Sequence, residues 1–129
     1  MSTRATYQFS NTHLAGENVT VYIHHDGYLQ GAANYFRKAM DEKLDSGKPL
    51  LESFITANNA YITRSHEAHG DTDYRYSTDG KSVLIEKRVM CSDAPDQWVV
   101  LKNLGLDQFI SAAEYVVAAD IFSIEGNRS

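Results

Sequence analysis

The sequence predicts an α+β fold, a mostly antiparallel sheet with helices packed on one face. Three observations predict it. Short stretches of alternating apolar and polar residues recur along the 129 residues, the mark of half-buried strands. Two longer stretches between them carry apolar residues at helical spacing instead. The strand-like stretches follow one another closely, and short connections favour antiparallel neighbours.

The elements follow in order. "TRATYQF" alternates, with Ala5, Tyr7 and Phe9 on one face and Arg4, Thr6 and Gln8 on the other. After the polar "NTHLAGEN", "VTVYIHH" alternates again, Val19, Val21, Ile23 and His25 against Thr20, Tyr22 and His24. The two are close enough to pair as a hairpin. Asp26 precedes a helical pattern and is a candidate N-cap, with Gly27 permitting the turn. Leu29, Ala33, Phe36, Met40 and Leu44 form that helix's apolar stripe. Gly47 ends it, and Pro49 suits the first turn of a second helix that buries Leu50, Leu51, Phe54 and Ile55.

"AYITRS" reads as a short strand and "HEAHGDTD" as a loop. "YRYST" and "KSVLIEKRV" flank Asp79-Gly80, a hairpin signal. "QWVVLK" is another strand. "LDQFISAAEYVV" closes as a helix with Leu106, Phe109, Ile110, Ala113, Val116 and Val117 apolar. The expected order is ββαα, then ββββ, then α. Residues 1–125 read as one domain, and 126–129 as a flexible tail.

Composition narrows the function classes. A net charge of −5 disfavours a DNA or RNA duplex as partner, because affinity there comes largely from neutralising phosphates. A small phosphorylated ligand needs only a few converging Arg, Lys or N–H groups. The single Cys91 excludes an internal disulfide and fits a reducing compartment. No apolar run approaches the roughly 20 residues of a membrane span. "MSTRATYQF" lacks the apolar core of a signal peptide. The expectation is a cytoplasmic protein with no membrane partner.

Two clusters invite a catalytic reading. His24-His25-Asp26 ends a strand, and adjacent strand residues point to opposite faces, so the two histidines are not expected to share a metal. The structural reading makes His25 a core-facing residue with one hydrogen-bonded nitrogen, and Asp26 a helix cap. "SHEAHGDTDYRY" offers His66, Glu67, His69, Asp71 and Asp73, but without the zinc-protease spacing. It can be a solvated loop, a ligand-contacting loop or, through His66, His69 and Asp71, a nucleotide-hydrolysing site. Phosphate-cradling Gly-rich loops and nucleophile elbows are absent from the sequence. No catalytic residue, metal or cofactor is therefore assigned.

Arg4, Arg64, Arg75 and Arg88 fall in expected strands or at their ends. Arg suits bidentate phosphate contact, and Tyr61, Tyr74, Tyr76 and Trp98 could stack a base. They could equally cover an open sheet face. The candidate ligand-binding set is Arg64, His66, His69, Arg75, Arg88, Trp98 and Asn103. Arg64, Arg75 and Trp98 are expected to line one pocket with the "HEAHGD" loop.

"STRATYQF", "VTVYIHHDGY" and "GAANYF", with "SHEAHGDTDYRY", resemble the pattern of the phage anti-Thoeris proteins. The resemblance covers residues 2 to about 77. Leu29 stands where many members of the wider pattern place proline. It implies a non-catalytic sponge in the infected bacterial cell. Such proteins capture cyclic ADP-ribose isomers, some also cyclic oligonucleotides, without cleaving them, and work as homo-oligomers. A small chain offers limited depth to enclose a nucleotide, which also points to an oligomer. The apolar "YVVAADIFSI" is the candidate contact surface. A protein-binding inhibitor acting through the acidic surface is the third reading.

Overall fold

The computed structural model describes residues 3–10, 18–89 and 97–112. Strands β1 (Ala5–Phe9) and β2 (Val19–Ile23) come first, then helices α1 (Leu29–Ser46) and α2 (Leu50–Asn58). Strand β3 (Tyr61–Thr63) leads into a short 3-10 turn at His66–Ala68. Strands β4 (Tyr74–Thr78), β5 (Ser82–Val89) and β6 (Gln97–Gly105) and helix α3 (Leu106–Ala112) complete the order. It is the α+β order the periodicities predict. Ala113, Val116, Val117, the "YVVAADIFSI" segment, the tail and Cys91 lie outside the described residues.

The described strands form one sheet in the order β3-β2-β1-β4-β5-β6. Each neighbouring pair is antiparallel except the central one, where β1 runs parallel to β4. The hairpins follow from short connections. The parallel pair joins strands more than sixty residues apart, which no local spacing could orient.

One face of the sheet holds the core. Ala5, Tyr7 and Phe9 are fully buried there, with Val21, Ile23, Tyr74, Tyr76, Val83 and Ile85. The helices cover them with Leu29, Phe36, Leu51, Phe54 and Phe109. Tyr7 and Tyr76 stack at 5.0 Å and 10°, and the Phe54 ring lies 5.0 Å from Tyr7. Truncating such a buried aromatic costs about 3–5 kcal/mol. Thr6, expected on the open side, is also fully buried. The loop after β3 folds back over that face and covers it.

The entry to α1 departs from expectation. Asp26 is not its cap: it is exposed, with φ 53°, and the N-cap is Tyr28, with no side-chain bond. The strand ends at Ile23, two residues earlier than the alternating pattern suggests, so the chain bends twice before the helix begins. Gly27 serves close approach rather than the turn. A Cβ there would lie 2.7 Å from the Ala5 Cβ. Its N–H donates to the Thr3 carbonyl (2.9 Å), and its carbonyl accepts from the Tyr76 hydroxyl (2.6 Å). Leu44, expected in the buried stripe, is 82% exposed, while Ala32, Tyr35 and Ala39 are buried instead. Burial along α1 stops at Ala39, well before the helix ends at Ser46. Gly47 ends the helix in the left-handed conformation, its N–H closing on the Lys43 carbonyl.

Candidate functional site

The "HEAHGDTD" segment is a strap fastened to the sheet rather than a solvated loop. His66 is its pin. Its Nδ1 lies 2.6 Å from the Thr6 hydroxyl and its Nε2 3.2 Å from the Ser77 hydroxyl. Burial, with the nearby Arg75 guanidinium, lowers its pKa to about 4, against a smaller opposing effect of Glu67. It is therefore a neutral imidazole at pH 7. His69 stacks flat on Tyr22 at 3.9 Å and 5°, and its Nε2 is 2.8 Å from the Thr63 hydroxyl. Asp71 takes the Tyr22 hydroxyl (3.2 Å) and Arg4 Nε (3.2 Å). Arg88 holds the far end, donating to the Gly70 carbonyl (2.8 Å) and to Asp73 (3.3 Å).

His69 and Asp71 thus share Tyr22 as a partner, while His66 is held apart from them by Thr6 and Ser77. Among the described residues no group of three His, Cys, Asp or Glu could hold a metal ion.

The expected arginine pocket forms only in part. Arg75 and Trp98 do meet, but the guanidinium lies over the indole, 3.8 Å from its centroid. That ring face is occupied by the protein's own side chain. Arg75 also reaches Glu67 of the strap at 3.6 Å. Arg64 follows β3, three strands from β4, roughly 14 Å at the usual strand spacing. It is exposed and makes no hydrogen bond or ion pair among the described residues. Asn103 is exposed on β6, opposite Leu84. Sheet order separates what the sequence places on either side of one loop.

A cavity lies elsewhere, at the end of β2. Its volume is about 290 Å³. His24 and His25 come from the bend after β2, Tyr35 and Lys38 from α1, Asn58 and Asn59 from the end of α2, and Tyr61 from β3. Ile23 and Ala57 add apolar wall. Because the strand stops at Ile23, His24 and His25 escape strand alternation and both line this space. His25 is half exposed rather than core-facing.

Hydrogen bonding orders the wall. The Tyr35 hydroxyl lies 2.8 Å from His25 Nδ1 and donates to the His25 carbonyl at 3.0 Å. Burial, then Asp26 and Tyr28, push the Tyr35 pKa up to about 12, so the hydroxyl keeps its proton. Asn58 donates from Nδ2 to the Tyr35 and Phe54 carbonyls. At the rim the His24 and Tyr61 rings are nearly parallel, 10° apart with centroids at 6.4 Å. Sequence reading weighed these histidines as a metal pair and set them aside. The signal it lacked was the bend that brings α2 and β3 alongside them.

Comparison with family models, with curated proteins and with solved structures returns no match. Among the described residues no helix is long and apolar enough to cross a membrane.

Proposed function

We propose that this chain binds and sequesters a cyclic nucleotide signal without cleaving it. The ligand is a cyclic ADP-ribose isomer or a cyclic oligonucleotide, as for the phage anti-Thoeris proteins its sequence resembles. Its setting is the cytoplasm of an infected bacterium. The observation that carries the reading is the pair of near-parallel rings, His24 and Tyr61, at the mouth of a 290 Å³ cavity beside Lys38.

A planar base between two rings needs about 7 Å, twice the carbon contact distance of ~3.5 Å. The ring centroids stand 6.4 Å apart and both side chains are exposed, so the two rings are free to turn and take a base between them. Stacking on aromatic side chains is worth about 1–3 kcal/mol per base. Lys38 offers a cation to a phosphate. Small-molecule pockets run from about 300 Å³ upward, so this cavity suits one nucleoside-sized part of the ligand. The remainder lies outside, where a second copy of the chain would wall it in. The protein acts as a homo-oligomer in this reading.

Calorimetric titration with cyclic ADP-ribose isomers and cyclic oligonucleotides tests it, followed by denaturation and recovery of the ligand. Binding with intact recovery is expected, with affinity falling about tenfold or more in Tyr61→Ala. Binding should weaken in salt, since phosphate contacts are screened. A cleaved product would overturn the reading, as would wild-type affinity in both Tyr61→Ala and Lys38→Ala.

A further inference from the structure

The His25 imidazole is held in one tautomer. The Tyr35 hydroxyl has a single proton and two neighbours, the His25 carbonyl at 3.0 Å and His25 Nδ1 at 2.8 Å. The carbonyl can only accept, so the hydroxyl proton goes there. Nδ1 must then carry a hydrogen and donate to the hydroxyl oxygen. The opposite assignment would leave two oxygens 3.0 Å apart with no proton between them. The Asp26 carboxylate, 3.8 Å from Nδ1, favours the same hydrogen. A neutral imidazole with Nδ1–H carries a lone pair on Nε2. That nitrogen has no partner among the described residues, and its ring borders the cavity.

A base lying between His24 and Tyr61 presents its edge, not its face, to the cavity wall. An acceptor at that wall selects an edge that donates. We infer that His25 Nε2 is a specificity-determining acceptor that reads the exocyclic amino group of an aminopurine nucleotide, with Tyr35 as the positioning residue that fixes its lone pair. The inference rests on the cavity being the nucleotide site. Adenine presents such an N–H donor on its edge. The unsubstituted purine has nothing to offer Nε2, and its nucleotide leaves the nitrogen desolvated and unpaired.

The test compares adenosine 5′-monophosphate with purine riboside 5′-monophosphate, which differs only in lacking the amino group. The wild-type protein should prefer the former about fivefold to tenfold. His25→Phe should reduce that preference to less than twofold, and His25→Gln, whose amide oxygen can accept, should recover part of it. Tyr35→Phe should lower the preference while leaving His25 in place. Nitrogen-15 spectra of the imidazole read the tautomer directly. The Nδ1–H pattern is expected in the wild type, and a mixture in Tyr35→Phe. Failure of both nucleotides and of the cyclic ligands to bind would remove the nucleotide reading of the cavity, and this inference with it. Sound binding with equal affinity for the two nucleotides would overturn the inference alone. So would a preference that survives in His25→Phe, or an Nε2–H tautomer in the wild type.

Discussion

Acidification should release the strap before it reaches the rest of the fold, and His66 sets the pH at which this happens. The imidazole is buried between the Thr6 and Ser77 hydroxyls, and its pKa falls from the ordinary 6.5 to about 4. Burial is the main cause and the Arg75 guanidinium the second. A base with a lowered pKa is neutral in the folded chain and takes up its proton more readily when unfolded. Its contribution is therefore complete above pH 6.5 and lost as pH falls toward 4. Each unit of difference is worth 1.36 kcal/mol, so the whole loss is about 3 kcal/mol, and about 2 kcal/mol has gone by pH 5. Most carboxylates are still ionised at that pH. Urea unfolding of the wild type and of His66→Gln, followed from pH 7 to pH 5, isolates the effect, since glutamine does not titrate. The stability difference between them should shrink by about 2 kcal/mol over that range. A difference that stays constant with pH would show that His66 is not buried as a neutral pin.

Gly31→Ala should destabilise the protein by about 1–2 kcal/mol, although alanine normally favours a helix interior by up to about 1 kcal/mol. A Cβ there would lie 2.0 Å from the Asp26 carbonyl oxygen, which cannot move without shifting the bend that carries His25. Gly70→Ala, with open space around it, should be nearly neutral, and a higher melting temperature for Gly31→Ala would contradict the packing. Tyr7→Phe should match or slightly exceed the wild type in urea unfolding, because the Tyr7 hydroxyl is buried with no partner. Tyr76→Phe should instead lose about 1 kcal/mol, having given up its 2.6 Å bond to the Gly27 carbonyl. Asp26→Gly should be at least as stable as the wild type, where a lost cap would instead cost a few tenths of a kcal/mol, and Asp26→Ala should be about 1 kcal/mol less stable than Asp26→Gly.

Element order was legible because it depends on periodicity, and periodicity is local. Ala5, Tyr7 and Phe9 alternate with polar neighbours and lie in a strand. Phe36 and Leu29 keep helical spacing and face the core. What failed was where the local pattern continues after its structural reason has ended. Val19 to His25 alternates smoothly, yet the strand stops at Ile23, where its pairing with β1 runs out at Ala5. Leu44 keeps the stripe of α1 but lies past Ala39, the last residue of the helix to be buried. Asp26 has the right residue type for a cap, two positions too early. The pairing of β1 with β4 carries no local signature at all. It makes β1 central, and the strap that follows then buries Thr6.

The site was less legible than the fold for the same reason. Arg64 and Arg75 flank one loop, but the sheet inserts β2 and β1 between the strands that bear them. Arg75 reaches Trp98 only because β5 lies between β4 and β6 and leaves them two strands apart on the same face. Once there, it covers the indole instead of leaving it open. The choice between a joint and a site at His24-His25-Asp26 dissolves on the same grounds. A strand that ended later would have sent one histidine to each face. Ending at Ile23, it needs a bend to reach α1, and the bend turns both rings toward the open end of α2. Tyr35, two turns into α1, then meets both Nδ1 and the carbonyl of His25. The joint makes the cavity wall, so a substitution that straightens the bend should empty the cavity of both histidines while leaving β1, β2 and the aromatic core in place.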